Sequence, residues 1–156
     1  MTTVRIYDYK TNGTLAVDLR HFMDLLAPQS LQATWTVSPV KLFYPTLNSV
    51  VDEFAATGPG GDRLEALAST RSAVSGTALA ELANATVQVI WGEFAAVLPS
   101  HDDIWIAIRA IDSTFYEVTT TDNAVLDKIR STCQDVRVAA GPFASTPIAQ
   151  FPRGEH

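Results

Sequence analysis

The stretch 87-VQVIWGEFAAVLPSHDDIWIAIRAIDSTFYEVTT-120 decides the fold. It divides into three alternating segments, Val87 to Leu98, Ile104 to Ile111 and Phe115 to Thr120. The connectors Pro99-Ser100-His101-Asp102-Asp103 and Asp112-Ser113-Thr114 are rich in turn formers. Period-two alternation between short turns is the mark of antiparallel strands. Register then decides which side chains meet, because a one-residue slip moves every side chain to the opposite face. A two-residue turn after Ile111 would pair Arg109 with Val118 and leave Glu117 beside Ala110. A three-residue loop pairs Arg109 with Glu117, Ile108 with Val118 and Ala110 with Tyr116. Opposite charges and apolar neighbours then match, so this register is the one expected, although Thr114 stands where such loops favour glycine.

The same reasoning across the first connector sets Leu98 opposite Ile104, Phe94 opposite Ile108 and Glu93 opposite Arg109. One face would carry Ile90, Phe94, Leu98, Ile104, Ile106, Ile108, Tyr116 and Val118. The other would carry Val87, Val89, Trp91, Glu93, Val97, Trp105, Arg109, Ile111, Phe115 and Glu117. Both faces are apolar enough to need a cover, and helices are expected to supply at least one. Downstream, Thr121-Asp122 caps a helix bearing Val125, Leu126 and Ile129, with Lys128 and Arg130 toward its negative end. Val136 and Val138 return as a short strand.

Upstream, Val4 to Lys10 alternates into Asn12-Gly13, a strong hairpin signal, with a return strand over Thr14 to Val17. Asp18 reads as the N-cap of a helix placing Leu19, Phe22, Met23 and Leu26 on one face, ended by Pro28. Gln32 to Val37 reads as a strand, and Val40 to Tyr44, between Pro39 and Pro45, as an edge strand. A short helix is expected from Asn48 or Ser49 through Val50, Val51 and Phe54. Gly58-Pro59-Gly60-Gly61 reads as a flexible turn before a helix starting at Asp62. It lacks the lysine and hydroxyl ending of a phosphate-binding loop. Ser75 caps a helix through Leu79 and Leu82. The expectation is a single α+β domain over residues 1–140, with an antiparallel sheet whose C-terminal meander (about 87–120) is packed by helices. A proline-rich extended tail follows over 141–156.

At 156 residues and 47% hydrophobic, the chain can bury a core without metal or disulfide staples. Its formal charge of −6, with only 11 Lys and Arg, argues against nucleic acid and anionic membrane and suits a basic partner. No basic-then-apolar leader and no apolar run of roughly 20 residues is visible, so a cytoplasmic protein is expected. Cys133 stands alone, which excludes an internal disulfide, and reads as a small buried residue rather than a nucleophile. No cofactor or metal motif appears.

The candidate binding surface is Trp91, Glu93, Trp105, Arg109, Phe115 and Glu117. A guanidinium between two carboxylates keeps few donors for a substrate, so a structural ion bridge is the stronger reading of the charged row. Acid–base use of Glu93 and Glu117 would need Arg109 to turn away. Trp91, Trp105 and Phe115 read first as rings packed under a cover and second as interface anchors. His101-Asp102-Asp103 reads as a solvated turn, and Asp112 as a turn-stabilising residue without a histidine base nearby.

The run Gln88-Val89-Ile90-Trp91-Gly92-Glu93-Phe94, then Trp105, then Ile111-Asp112-Ser113-Thr114, then Val118 with Thr121-Asp122 before a helix, resembles small acidic bacterial immunity-type proteins. These are single-domain α+β proteins that bind and block a co-produced toxin. The resemblance covers about a third of the chain and carries over no binding residues. It implies a non-enzymatic protein-binding domain, an immunity-type inhibitor of a co-produced toxin. The alternatives are a small hydrolase or isomerase using carboxylates in a pocket on the sheet, and a self-associating structural subunit.

Overall fold

In the computed structural model, which describes residues 1–143, the meander forms with the expected pairing. At the start of its first strand, however, Val89 rather than Ile90 joins the core under the helices. Strands β7 (Gln88–Val97), β8 (Ile106–Ile111) and β9 (Phe115–Thr120) pair antiparallel, with Arg109 opposite both Glu93 and Glu117. The loop of Asp112, Ser113 and Thr114 takes the three-residue form. Asp112 and Ser113 supply the positive φ values, 52° and 58°, and the Thr114 amide donates to the Ile111 carbonyl. Short polar side chains tolerate that left-handed region, so the loop closes without glycine.

The meander is the centre of a larger antiparallel sheet. On one side β1 (Thr2–Ile6) pairs with β9, and β10 (Val136–Ala139) pairs with β1. On the other side β2 (Thr34–Ser38) pairs with β7, and β6 (Ala73–Ser75) with β2. The short β5 (Ala55–Thr57) shares the β7 edge with β2. Rows of paired residues cross the sheet. Val4, Val118, Ile108, Phe94 and Val37 make one apolar row on the face that the helices cover.

Five helices lie among the described residues: α1 (Leu19–Leu25), α2 (Gln29–Gln32), α3 (Pro59–Thr70), α4 (Gly76–Asn84) and α5 (Asn123–Thr132). Their buried faces include Phe22, Met23, Leu64, Leu79, Val125 and Ile129. Asp18, Ser75 and Asp122 stand at the N-caps where the sequence places them. Asp18 does more than cap. Its Oδ1 accepts from the Tyr116 hydroxyl and from the Val89 amide, tying the start of α1 to β9 and β7.

Several expectations are corrected. The segment from Asn48 to Phe54 is not helical. β4 (Ser49–Glu53) pairs with β3 (Val40–Tyr44) as a separate two-stranded hairpin. Consecutive β-branched Val50 and Val51 and a turn ending on Asn48 at φ 46° favour this pairing. The Gly58–Gly61 segment is not a flexible turn either. Helix α3 begins at Pro59, whose missing N–H costs nothing at a first helical position, while Gly58 takes φ 92°. Gly60 and Gly61 are buried inside the helix. A Cβ on Gly60 would meet the Leu82 carbonyl oxygen at 2.2 Å, so glycine is what lets α3 approach α4. The first strand stops at Ile6, with only a Tyr9–Leu15 bridge beyond it. Ile104 falls outside β8 and is exposed. Of the tail expected over 141–156, all beyond Phe143 lies outside the described residues.

Gly60→Ala is expected to destabilise the protein by about 1–3 kcal/mol, the usual cost of overpacking, because the contacting atom is backbone. Gly141→Ala, where a Cβ meets nothing within 4 Å, is expected to stay within about 0.5 kcal/mol of the wild type. Urea denaturation midpoints check both.

Candidate functional site

The second face of the sheet carries a charged row. Arg5, Glu117, Arg109 and Glu93 lie side by side on β1, β9, β8 and β7, alternating in sign. Arg5 Nε donates to Glu117 Oε2 at 3.1 Å, and Arg109 Nη1 donates to Glu117 Oε1 at 3.2 Å. Glu93 Oε1 stands 3.5 Å from Arg109 Nε, close enough for Coulombic attraction, but that N–H makes no hydrogen bond. Glu117 has no exposure, and Arg5 and Arg109 are buried, whereas the Glu93 side chain keeps 26%. Beside this row, the Thr3 and Thr119 hydroxyls pair at 2.9 Å, and Arg109 Nη1 also reaches Thr119 Oγ1 at 3.2 Å.

On the other side of the charges lies an apolar cluster of Tyr7, Ile111 and Phe115, with Trp91 packed against it. Val40 and Leu42 of the β3–β4 hairpin and the ring of Phe143 cover it. The Phe143 amide donates to both Glu117 carboxylate oxygens at 3.0 Å. The row is therefore an interior feature under its own lid of hairpin and C-terminal segment. The structure brings Glu93, Arg109 and Glu117 together with Trp91 and Phe115, as the register requires.

Trp105 is the exception. It precedes β8 and packs on the helical face, its ring 6.5 Å from that of Trp35 in an edge-on arrangement. Its indole Nε1 donates to Asp122 Oδ2 at 2.9 Å, giving a buried N–H the acceptor it needs. Extrapolating the alternation one residue beyond the strand put this ring on the wrong side.

The remaining candidate groups are accounted for locally. His101, Asp102 and Asp103 are exposed, and His101 Nδ1 lies 2.8 Å from the Pro99 carbonyl oxygen of the same turn. Among the described residues, no three His, Cys, Asp or Glu side chains gather to hold a metal ion. Burial, helped by the charge of Asp8, pushes the half-buried Cys133 thiol up to about 11, away from the thiolate a nucleophile needs. Burial chiefly, and then the Asp18 carboxylate, raise the Tyr116 hydroxyl well above its usual range, so it remains a hydrogen-bond donor. Among the described residues no helix is long and apolar enough to cross a membrane.

Two concavities escaped the sequence reading. An apolar groove of about 480 Å³ runs between α3 and α4, floored by Leu67, Val74 and Leu82 and edged by Arg63 and Glu81. A smaller one, about 210 Å³, opens where the Asn12-Gly13 turn meets the start of α1 and β7. Helical periodicity on α3 and α4 could have hinted at the groove. The second joins segments some 70 residues apart in sequence and left no local signal. Compared with known protein families, curated proteins and solved structures, the chain matches none.

Glu117→Ala is expected to cost about 3–5 kcal/mol, since it takes the carboxylate away from two buried guanidinium groups. Glu93→Ala, at a half-open pair, is expected to cost under about 1 kcal/mol. Denaturant unfolding of both variants measures the difference. For Cys133, the rate of maleimide labelling should keep rising with pH up to about 11. A plateau near pH 9 would mean an ordinary exposed thiol.

Proposed function

We propose that the chain is a non-enzymatic protein-binding domain, an immunity-type inhibitor that captures a basic, co-produced toxin in the groove between α3 and α4. The observation that carries this reading is the groove itself, an apolar trough open to solvent on an acidic molecule. Its walls are built from small residues, Ala66, Ala78 and Ala85 together with Gly60, which leave room for a partner's apolar side chain. Exposed Glu81 lies on its lining beside Arg63, and exposed Asp62 and Glu65 add negative charge on α3 outside that lining. An apolar anchor flanked by Lys or Arg suits this combination, with charge steering the encounter and apolar burial holding the complex.

The charged row on the sheet supports the non-enzymatic side of the reading. Its buried carboxylate is committed to Arg5, Arg109 and the Phe143 amide, leaving no lone pair aimed at a substrate. The Trp91–Glu93 part of the sheet surface is half-covered and contributes at most a margin to an interface.

The test uses the products of the two genes flanking this one. One of them is expected to arrest growth when expressed alone, to be neutralised by co-expression of this chain, and to co-elute with it in gel filtration. Ala78→Gln, which fills the groove at a half-buried helical position, is expected to weaken that complex at least about tenfold, or 1.4 kcal/mol, with the melting temperature retained. Asp62→Lys with Glu65→Lys is expected to slow association, most at low salt. Absence of binding by both products, or a complex indifferent to Ala78→Gln, overturns the proposal.

A further inference from the structure

Independently of the α3–α4 groove, we infer a second site, a phosphoryl-binding pocket in the concavity of about 210 Å³ beneath the Asn12-Gly13 turn. Its wall brings together Lys10 and Thr14 from the turn, Asp18, Arg20 and His21 from the start of α1, Gln88 from β7 and Tyr116 from β9. Three basic side chains converge here on a chain with 17 acids against 11 Lys and Arg.

The pairing pattern makes that convergence informative. Elsewhere Arg5, Lys41, Arg71, Arg109 and Arg137 each meet a carboxylate. Of the other cations without an ion pair among the described residues, Arg63 lies on the α3–α4 groove, and Lys128 and Arg130 lie on the exposed side of α5. Among the described residues, neither Lys10 nor Arg20 forms an ion pair, and Arg20 makes only a long 3.4 Å bond to the Thr86 carbonyl. The one carboxylate in the concavity, Asp18, makes no ion pair with either, and its charge offsets one of the two cations. Its Oδ1 is taken by the Tyr116 hydroxyl and by the Val89 amide at 3.3 Å. His21 adds an oriented donor: its Nδ1 accepts from the Asp18 amide at 2.9 Å, which leaves the proton on Nε2, the nitrogen free to meet a ligand.

A guanidinium, an ammonium and an imidazole N–H together match the several acceptor oxygens of a phosphoryl group. The cavity is below the roughly 300–1,000 Å³ of drug-sized sites, so the ligand is small. Inorganic phosphate and a small phosphate monoester share this chemistry.

The test is titration of isotope-labelled protein at low ionic strength with inorganic phosphate, glycerol phosphate and acetate, followed by amide shifts. Saturable shifts confined to residues 10–21, 87–89 and the neighbourhood of Tyr116 are expected with both phosphates. Tighter binding of the ester assigns a phosphorylated metabolite, and equal or tighter binding of the free ion assigns phosphate itself. Lys10→Met and Arg20→Gln should each weaken binding about tenfold. The paired variant Lys128→Met, Arg130→Gln, on exposed cations at the end of α5, should leave it unchanged. Failure to saturate, acetate binding as tightly as phosphate, or equal weakening by the α5 variant overturns the proposal.

Discussion

Glu117 holds a charge with no access to water, and that charge constrains the rest of the molecule. An isolated buried carboxylate is too costly to persist, so it must have donors on every side. Arg5 supplies one from the neighbouring strand, Arg109 another from the opposite strand, and the Phe143 amide closes the carboxylate from above. Each donor fixes something larger. Arg109 holds the β8–β9 register and its three-residue loop, Arg5 places β1 beside β9, and Phe143 draws the chain's C-terminal side back over the sheet.

The charges also explain why the sheet is covered twice. The helical face is apolar and takes α1, α3, α4 and α5, as an amphipathic layer requires. The second face mixes a charged row with Tyr7, Ile111, Phe115 and Trp91, and it needs a cover that excludes water without bringing further charge. The β3–β4 hairpin does this through Val40 and Leu42, directing Lys41 and Asp52 outward to pair with each other at 3.1 Å. Segment 49–53 contributes by pairing with β3, which holds Val40 and Leu42 in that cover, while none of its own residues enters the cluster.

With Glu117, Arg5 and Arg109 buried, the two concavities lie where secondary elements meet. The α3–α4 groove exists because glycine in the first turn of α3 admits the α4 backbone, while alanines on both helices leave the trough unfilled. The pocket beneath the Asn12-Gly13 turn exists because Asp18 ties α1 to β7 and β9, bringing Lys10, Arg20 and His21 around one space. The first presents apolar surface bordered by acid and the second presents unpaired cations, so one small domain carries two chemically distinct faces.

The sequence by itself determined the meander, its register and the pairing of Glu93, Arg109 and Glu117. Alternation and turn length are local, and a slip would have set Arg109 against Val118 and Glu117 beside Ala110. Caps at Asp18, Ser75 and Asp122 were legible for the same reason, because a cap is a contact between residues two or three apart. The tertiary structure alone decided that 49–53 pairs as a strand with the expected one over Val40–Tyr44, the helical start at Pro59, the side taken by Trp105 and both concavities. Each depends on partners far along the chain: the sheet face that needed covering, the Leu82 carbonyl beside Gly60, the Asp122 carboxylate awaiting an indole N–H, and the Val89 amide against Asp18. Packing between distant segments overrides local propensity wherever burying apolar surface and satisfying buried polar groups outweigh it.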